Sequence, residues 1–238
     1  MKKALLFLFT LLILSGIGYS FSFSSKCIKG EGKTVEKEIS LDDLSYLSVT
    51  SAVDVELSQG PQKVVAVGQA NIIELLNRNV KGGHWTIDFT DKICWSTNFS
   101  VKVTLPSLEG VNINGSGDVR GNSVFSGESL DVFINGSGDV DLQVDMLQVV
   151  TKINGSGDVK LVGEAEKHSV SINGSGDVSS LDMHTMNSSV SIHGSGDVRV
   201  HAEKSLKVQV EGSGDVHYKG NPEVSSKIQG SGEIHSIK

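Results

Sequence analysis

Ile134-Asn135-Gly136-Ser137-Gly138-Asp139-Val140 decides the reading of this chain, because the phrase recurs. Gly-Ser-Gly followed by an acid appears seven times, with its first glycine at Gly115, Gly136, Gly155, Gly174, Gly194, Gly212 and Gly230. The steps between copies are 21, 19, 19, 20, 18 and 18 residues. Self-similarity at a near-fixed period marks a repeat architecture, in which each unit buries its apolar face only against its neighbours.

The positions around the phrase are also periodic. Two residues before each first glycine stand Ile113, Ile134, Ile153, Ile172, Ile192, Val210 and Ile228. After each acid come Val119, Val140, Val159, Val178, Val198, Val216 and Ile234. Such β-branched columns suit a narrow solenoid interior. The expected fold is all-β: a parallel β-helix with one coil per 18–21 residues, built from two or three short strands per coil. Parallel crossovers make it right-handed. Seven coils stacked about 4.8 Å apart give a rod of roughly 34 Å. At the corner, two glycines permit a sharp bend. The acids Asp118, Asp139, Asp158, Asp177, Asp197, Asp215 and Glu233 can accept amide hydrogen bonds there in an Asx-type turn.

Upstream, residues 23–105 read as a strand-rich cap with one short helix, continuous with the regular coils of residues 106–238. Val49 to Leu57 overlays Ile134 to Leu142 without a gap, and Ile28-Lys29-Gly30-Glu31-Gly32 is a looser copy. From Ser51 to Gly115 is 64 residues, about three periods, so coiling is expected to begin near residue 28 with degenerate, capping copies. Ala70 to Asn79 reads as the helix, with Ile72, Ile73, Leu75 and Leu76 on its apolar side. Trp85, Trp95 and Phe99 read as the plug of the cap core; exposed, they would be platforms for sugars.

The first 22 residues read as a signal peptide: Lys2 and Lys3, an apolar run from Ala4 to Leu14, then small residues around Ser20 and Ser22. The run is shorter than the roughly 20 residues a membrane span needs. A lipid anchor on Cys27 is the alternative, although Ser24-Ser25-Lys26 is a poor signal for it. Loss of Lys2 and Lys3 leaves 19 basic residues against 28 acidic, a net charge of −9. That balance argues against nucleic acid as a partner. In an exported protein the two cysteines, Cys27 and Cys94, can form a disulfide; two buried thiols are the other reading.

Four features bear on chemistry. Like charges 4.8 Å apart repel by roughly 0.9 kcal/mol even in bulk water, so the acid column needs amide partners, hydration or cations. Calcium β-rolls repeat every nine residues, whereas each coil here offers one acid, so turn capping is the reading and a Ca²⁺ array the alternative. Asn114, Asn135, Asn154 and Asn173 form an amide column broken by His193, Glu211 and Gln229. A third column holds Arg120, Asp141, Lys160, Ser179, Arg199, His217 and His235, which reads as a solvated strip. It sets two histidines side by side without a third metal ligand. Catalytic motifs are missing: there is no HExxH helix or phosphate-binding glycine loop, and the glycine phrases precede no helix. No catalytic residue, metal or cofactor is expected.

The layout resembles the head GIN domain family of putative auto-transporter adhesins found in Bacteroidetes envelopes. The resemblance rests on Ile28 to Gly32, Leu47 to Gly60, Leu105-Pro106-Ser107-Leu108 and the repeated Asn-Gly-Ser-Gly-Asp-Val, occurring in that family's order. It implies a right-handed β-helix-like fold and no established activity. The resulting expectation is an exported, non-enzymatic envelope module in the periplasm or on the surface of a Gram-negative bacterium. It would bind a protein or glycan partner; self-association through the solenoid ends is a second reading, and a carbohydrate-active enzyme a third.

Overall fold

The computed structural model describes residues 27–94 and 99–237. The signal segment and Trp95 lie outside them.

From β9 onward the chain is a stack. β9 (Val119–Gly136), β10 (Val140–Gly155), β11 (Val159–Gly174), β12 (Val178–Gly194) and β13 (Val198–Gly212) pair in parallel, each with the next. The last coil is β14 (Val216–Lys219) with β15 (Glu223–Gly230), and β16 (Ile234–Ser236) follows on β14. Register follows the repeat: Val140 lies beside Val159, Ile153 beside Ile172, and Gly155 beside Gly174.

Each regular coil is one long strand rather than two or three short ones. β10 is 16 residues and keeps pairing with β11 throughout. Its inward side chains are Val140, Leu142, Val144, Met146, Val149, Thr151 and Ile153. Alternation breaks once, where Leu147 and Gln148 are both exposed. Two outward residues in succession turn the strand around a second corner while its ladder stays intact. The coil therefore has a Gly-Ser-Gly-Asp corner and a second corner near 147.

The N-terminal half is not a simple run of earlier coils. β2 (Tyr46–Val49) and β3 (Asp54–Gln59) form a coil in the repeat register: Val49 pairs with Ile113 of β8 (Gly110–Ile113), and Val55 with Val119. Ser51 is thus one rung from Gly115, not three periods away. The intervening chain goes to the opposite side of this coil, where β6 (His84–Ile87) pairs with β2, and β7 (Ser100–Leu105) with β3, both in parallel. The coil formed second in sequence caps the coil formed first. Two antiparallel strands finish the end: β4 (Lys63–Gln69) on β7, and β1 (Thr34–Ile39) on β4. β5 (Val80–Lys81) hooks onto β6. The Ile28 copy makes only an isolated parallel bridge to Ile93.

The helix is shorter than its pattern suggested. α1 spans Ala70–Ile73, and its first-turn amides have no side-chain cap. Ile72, Ile73 and Leu76 still reach the core. Trp85 is fully buried and donates its Nε1–H to the Asn77 carbonyl at 2.9 Å. Phe99 is buried against Phe89 edge-to-face, with ring centroids 5.0 Å apart. The two described aromatics of the expected plug therefore fill the cap. Cys27 and Cys94 form a disulfide across 67 residues, Cα–Cα 5.1 Å, which ties the start of the described chain to this cap.

Candidate functional site

The Gly-Ser-Gly-Asp corner is occupied by its own structure. From Gly136 to Gly230 the first glycine of each copy has φ between +137° and +147°. At Gly155 a Cβ would overlap the carbonyl of Gly136 one coil away, so the coils approach too closely for any side chain. The acids work between coils, not within one turn as the Asx expectation had it. Asp139 Oδ1 accepts the amide of Asp158 at 2.9 Å, Asp158 that of Asp177 at 2.8 Å, and the series continues to Glu233. It also extends back to Asp54, which accepts the amide of Asp118 at 3.1 Å. In return each acid's carbonyl accepts the valine amide of the preceding coil, as Asp158 does from Val140 at 2.9 Å. Amides offset the repulsion along the column. Asn135, Asn154 and Asn173 each donate to the asparagine before at 2.9–3.0 Å. Both ladders tie coils together.

The adjacent strip is different. Strand pairing lines up Lys102, Glu56, Arg120, Asp141, Lys160, Ser179, Arg199, His217 and His235 on nine successive rungs. Sequence spacing had found it only from Arg120 onward. Lys160 pairs with Asp141 at 3.0 Å and Arg120 with Asp118 at 3.1 Å, all on exposed or half-exposed side chains. Ion pairs of this kind add little stability. Between this strip and the acid ladder runs a groove of about 360 Å³, lined by Arg120, Asp141, Lys160, Asp177, Ser179 and Arg199. At the far end of the strip, beyond the groove, the His217 and His235 rings stack with centroids 5.0 Å apart, and His235 Nε2 lies 3.3 Å from Glu233.

Polar groups also enter the core. His168 takes a place that Leu130, Val149 and Leu206 hold in neighbouring coils. It is buried, contacts Thr151 Oγ1 at 3.0 Å through Nε2, and its Nδ1 has no partner. Burial pushes its pKa down to about 4. Thr185 and Ser188 form a second buried polar pair at 2.7 Å.

These geometries can be set beside known proteins. A sequence model of the family described as putative auto-transporter adhesin, head GIN domain, matches residues 43–222. The chain belongs to this family. No curated protein gives a match. Among solved structures, a putative adhesin from Bacteroides fragilis NCTC 9343 superposes with a TM-score of 0.83 at 24% identity, covering 88% of this chain and 100% of its own. A putative lipid binding protein from Parabacteroides distasonis ATCC 8503 gives 0.75 at 22% identity, covering 90% and 100%. A putative adhesin from Parabacteroides merdae ATCC 43184 gives 0.73 at 22%, covering 89% and 99%. At these identities the likeness establishes the fold.

Within this head GIN domain, two features escaped sequence reasoning. The buried His168 looked like any polar residue of a repeat. The second corner carries no motif, and a change of repeat spacing is its single trace in the sequence. In chemical terms the nine-rung strip alternates cationic and anionic groups from Lys102 to Lys160 and continues with Ser179, Arg199 and two histidines. It can hold a polar, elongated partner by many weak contacts.

Proposed function

We propose that the chain is an adhesin-like binding module of the cell envelope, exported and acting in the periplasm or at the surface. A protein or glycan partner docks along the nine-rung charged strip. The observation that carries this reading is that unbroken row of exposed and half-buried polar side chains on a parallel stack, bordered from Arg120 to Arg199 by an open groove. Its charges are not needed for folding, since exposed pairs contribute little. A polar ligand suits the groove better than a lipid, the ligand named for one structural neighbour. Binding of the labelled chain to an array of glycans and to immobilised envelope proteins tests the reading. Binding that is lost when Arg120, Lys160 and Arg199 are all changed to Ser supports it; no binding, or equal binding by the triple variant, refutes it.

A second reading, self-association, has its own observation. Val224 and Ile228 continue the core columns of Leu206 and Val210, yet are 38% and 39% exposed. β15 thus offers an uncovered apolar rung to a second copy. Light scattering that reports a monomer at millimolar concentration would remove this reading.

A further inference from the structure

The second corner is where the repeat departs from its own symmetry. His184 stands ten residues after Gly174, and His201 seven residues after Gly194, so the repeat frame keeps them apart. The structure brings them together. Between β12 and β13 the register slips from Ser180↔Val200 to His184↔His201, which leaves three residues of β12 unmatched on β13. The two imidazoles then lie on adjacent rungs with centroids 4.1 Å apart. His201 Nε2 is 2.9 Å from Glu203 Oε1. One ligand atom from each of His184, His201 and Glu203 falls within 4.8 Å of the others. Among the described residues this is the group of three that could share an ion.

We propose that His184, His201 and Glu203 bind a divalent first-row transition ion, with Zn²⁺ as the best match. Two imidazoles and one carboxylate are borderline ligands that suit Zn²⁺ and disfavour Ca²⁺ or Mg²⁺, which take oxygen ligands. Ligand atoms on tetrahedral zinc lie about 3.3 Å apart, so small side-chain rotations at an exposed edge close the site. The surroundings favour it. Glu164 precedes His184 in the same column and Asp145 precedes Glu164, which adds negative charge beside the ion. Thr185 donates its hydroxyl to the His201 carbonyl and so fixes the rung that carries the second ligand. His184 and Glu203 line a groove of about 390 Å³, which leaves a fourth position to water. Bound there, the ion would clamp β12 to β13 where the backbone pairing is most irregular. This inference does not depend on the charged strip.

Isothermal titration of ZnCl₂ into the tag-free chain tests it. The expected result is one ion per chain with a micromolar or tighter Kd, a melting temperature that rises with zinc, and no heat from Mg²⁺ or Ca²⁺. His184→Asn and Glu203→Gln are exposed changes that leave the fold intact by circular dichroism; each weakens binding by about 100-fold. His217→Asn with His235→Asn leaves binding unchanged. Failure to bind at 100 µM zinc, or binding lost only in the His217/His235 variant, overturns the proposal.

Discussion

At the scale of single residues, the chain separates into positions that build the coil and positions that the coil leaves at its surface. Gly155 builds. Its φ of +140° and the carbonyl of Gly136 behind it exclude a methyl group. Gly155→Ala should cost about 3 kcal/mol, which for a chain of this size lowers Tm by about 6–12 °C. Differential scanning calorimetry checks this, and a change under 2 °C would contradict the close-approach argument. His168 makes a pH prediction. Its folded pKa, about 4, is below the ordinary 6.5 because burial penalises the charged ring. The unfolded chain then binds the proton more readily. Stability is therefore full above pH 6.5 and declines as pH falls from 6.5 through 4, by about 3 kcal/mol in all. In His168→Leu, which restores the column of Leu130 and Leu206, that part of the acid slope should vanish. Chemical denaturation at pH 7, 5.5 and 4.5 compares the two; identical slopes would show that His168 is not the group responsible.

At the scale of elements, the cap is where stability depends on covalent help. The Cys27–Cys94 disulfide closes a loop of 67 residues around α1 and β1. By loop entropy it contributes about 4 kcal/mol. Reduction should therefore expose the amides of β1 and β4 to hydrogen exchange first, while β10 to β12 stay protected. Uniform loss of protection would mean the stack unfolds as one unit. The same division explains what could be read in advance. The regular coils were legible residue by residue, because identical neighbours such as Ile153 and Ile172 leave one register in which the columns stay buried. The Ser51 corner was legible for the same reason. Its neighbour was not: β6 and β7 share no phrase with β2 and β3, and their pairing is a long-range packing choice. The ten-residue apolar pattern over α1 overstated the helix because Leu75 and Leu76 serve a turn onto β6, not another helical turn. At the second corner the only trace is a change in spacing from 20 to 18 residues, the net of the three-residue slip that joins His184 to His201 and a one-residue slip back after Thr185.

At the scale of the molecule, the proposed function implies a division of labour: the Gly-Ser-Gly-Asp corner is scaffold, and recognition is assigned to the strip beside it. The stack makes this possible because parallel pairing repeats each outward residue at one fixed interval, so a sequence column becomes a straight row. Two variants test the division when their binding and melting are measured side by side. Asp197→Ala leaves the Asp215 amide without its acceptor and should cost about 1–3 kcal/mol. The Arg120, Lys160 and Arg199 triple change to Ser removes three exposed cations and should leave Tm within about 2 °C. The most direct measurement is binding of the wild type and both variants to the same ligand array, with Tm recorded for each. The expected result is that Asp197→Ala melts lower yet binds as the wild type does, while the triple variant melts normally and does not bind. A folded Asp197→Ala chain that loses binding while the triple variant retains it would contradict the account.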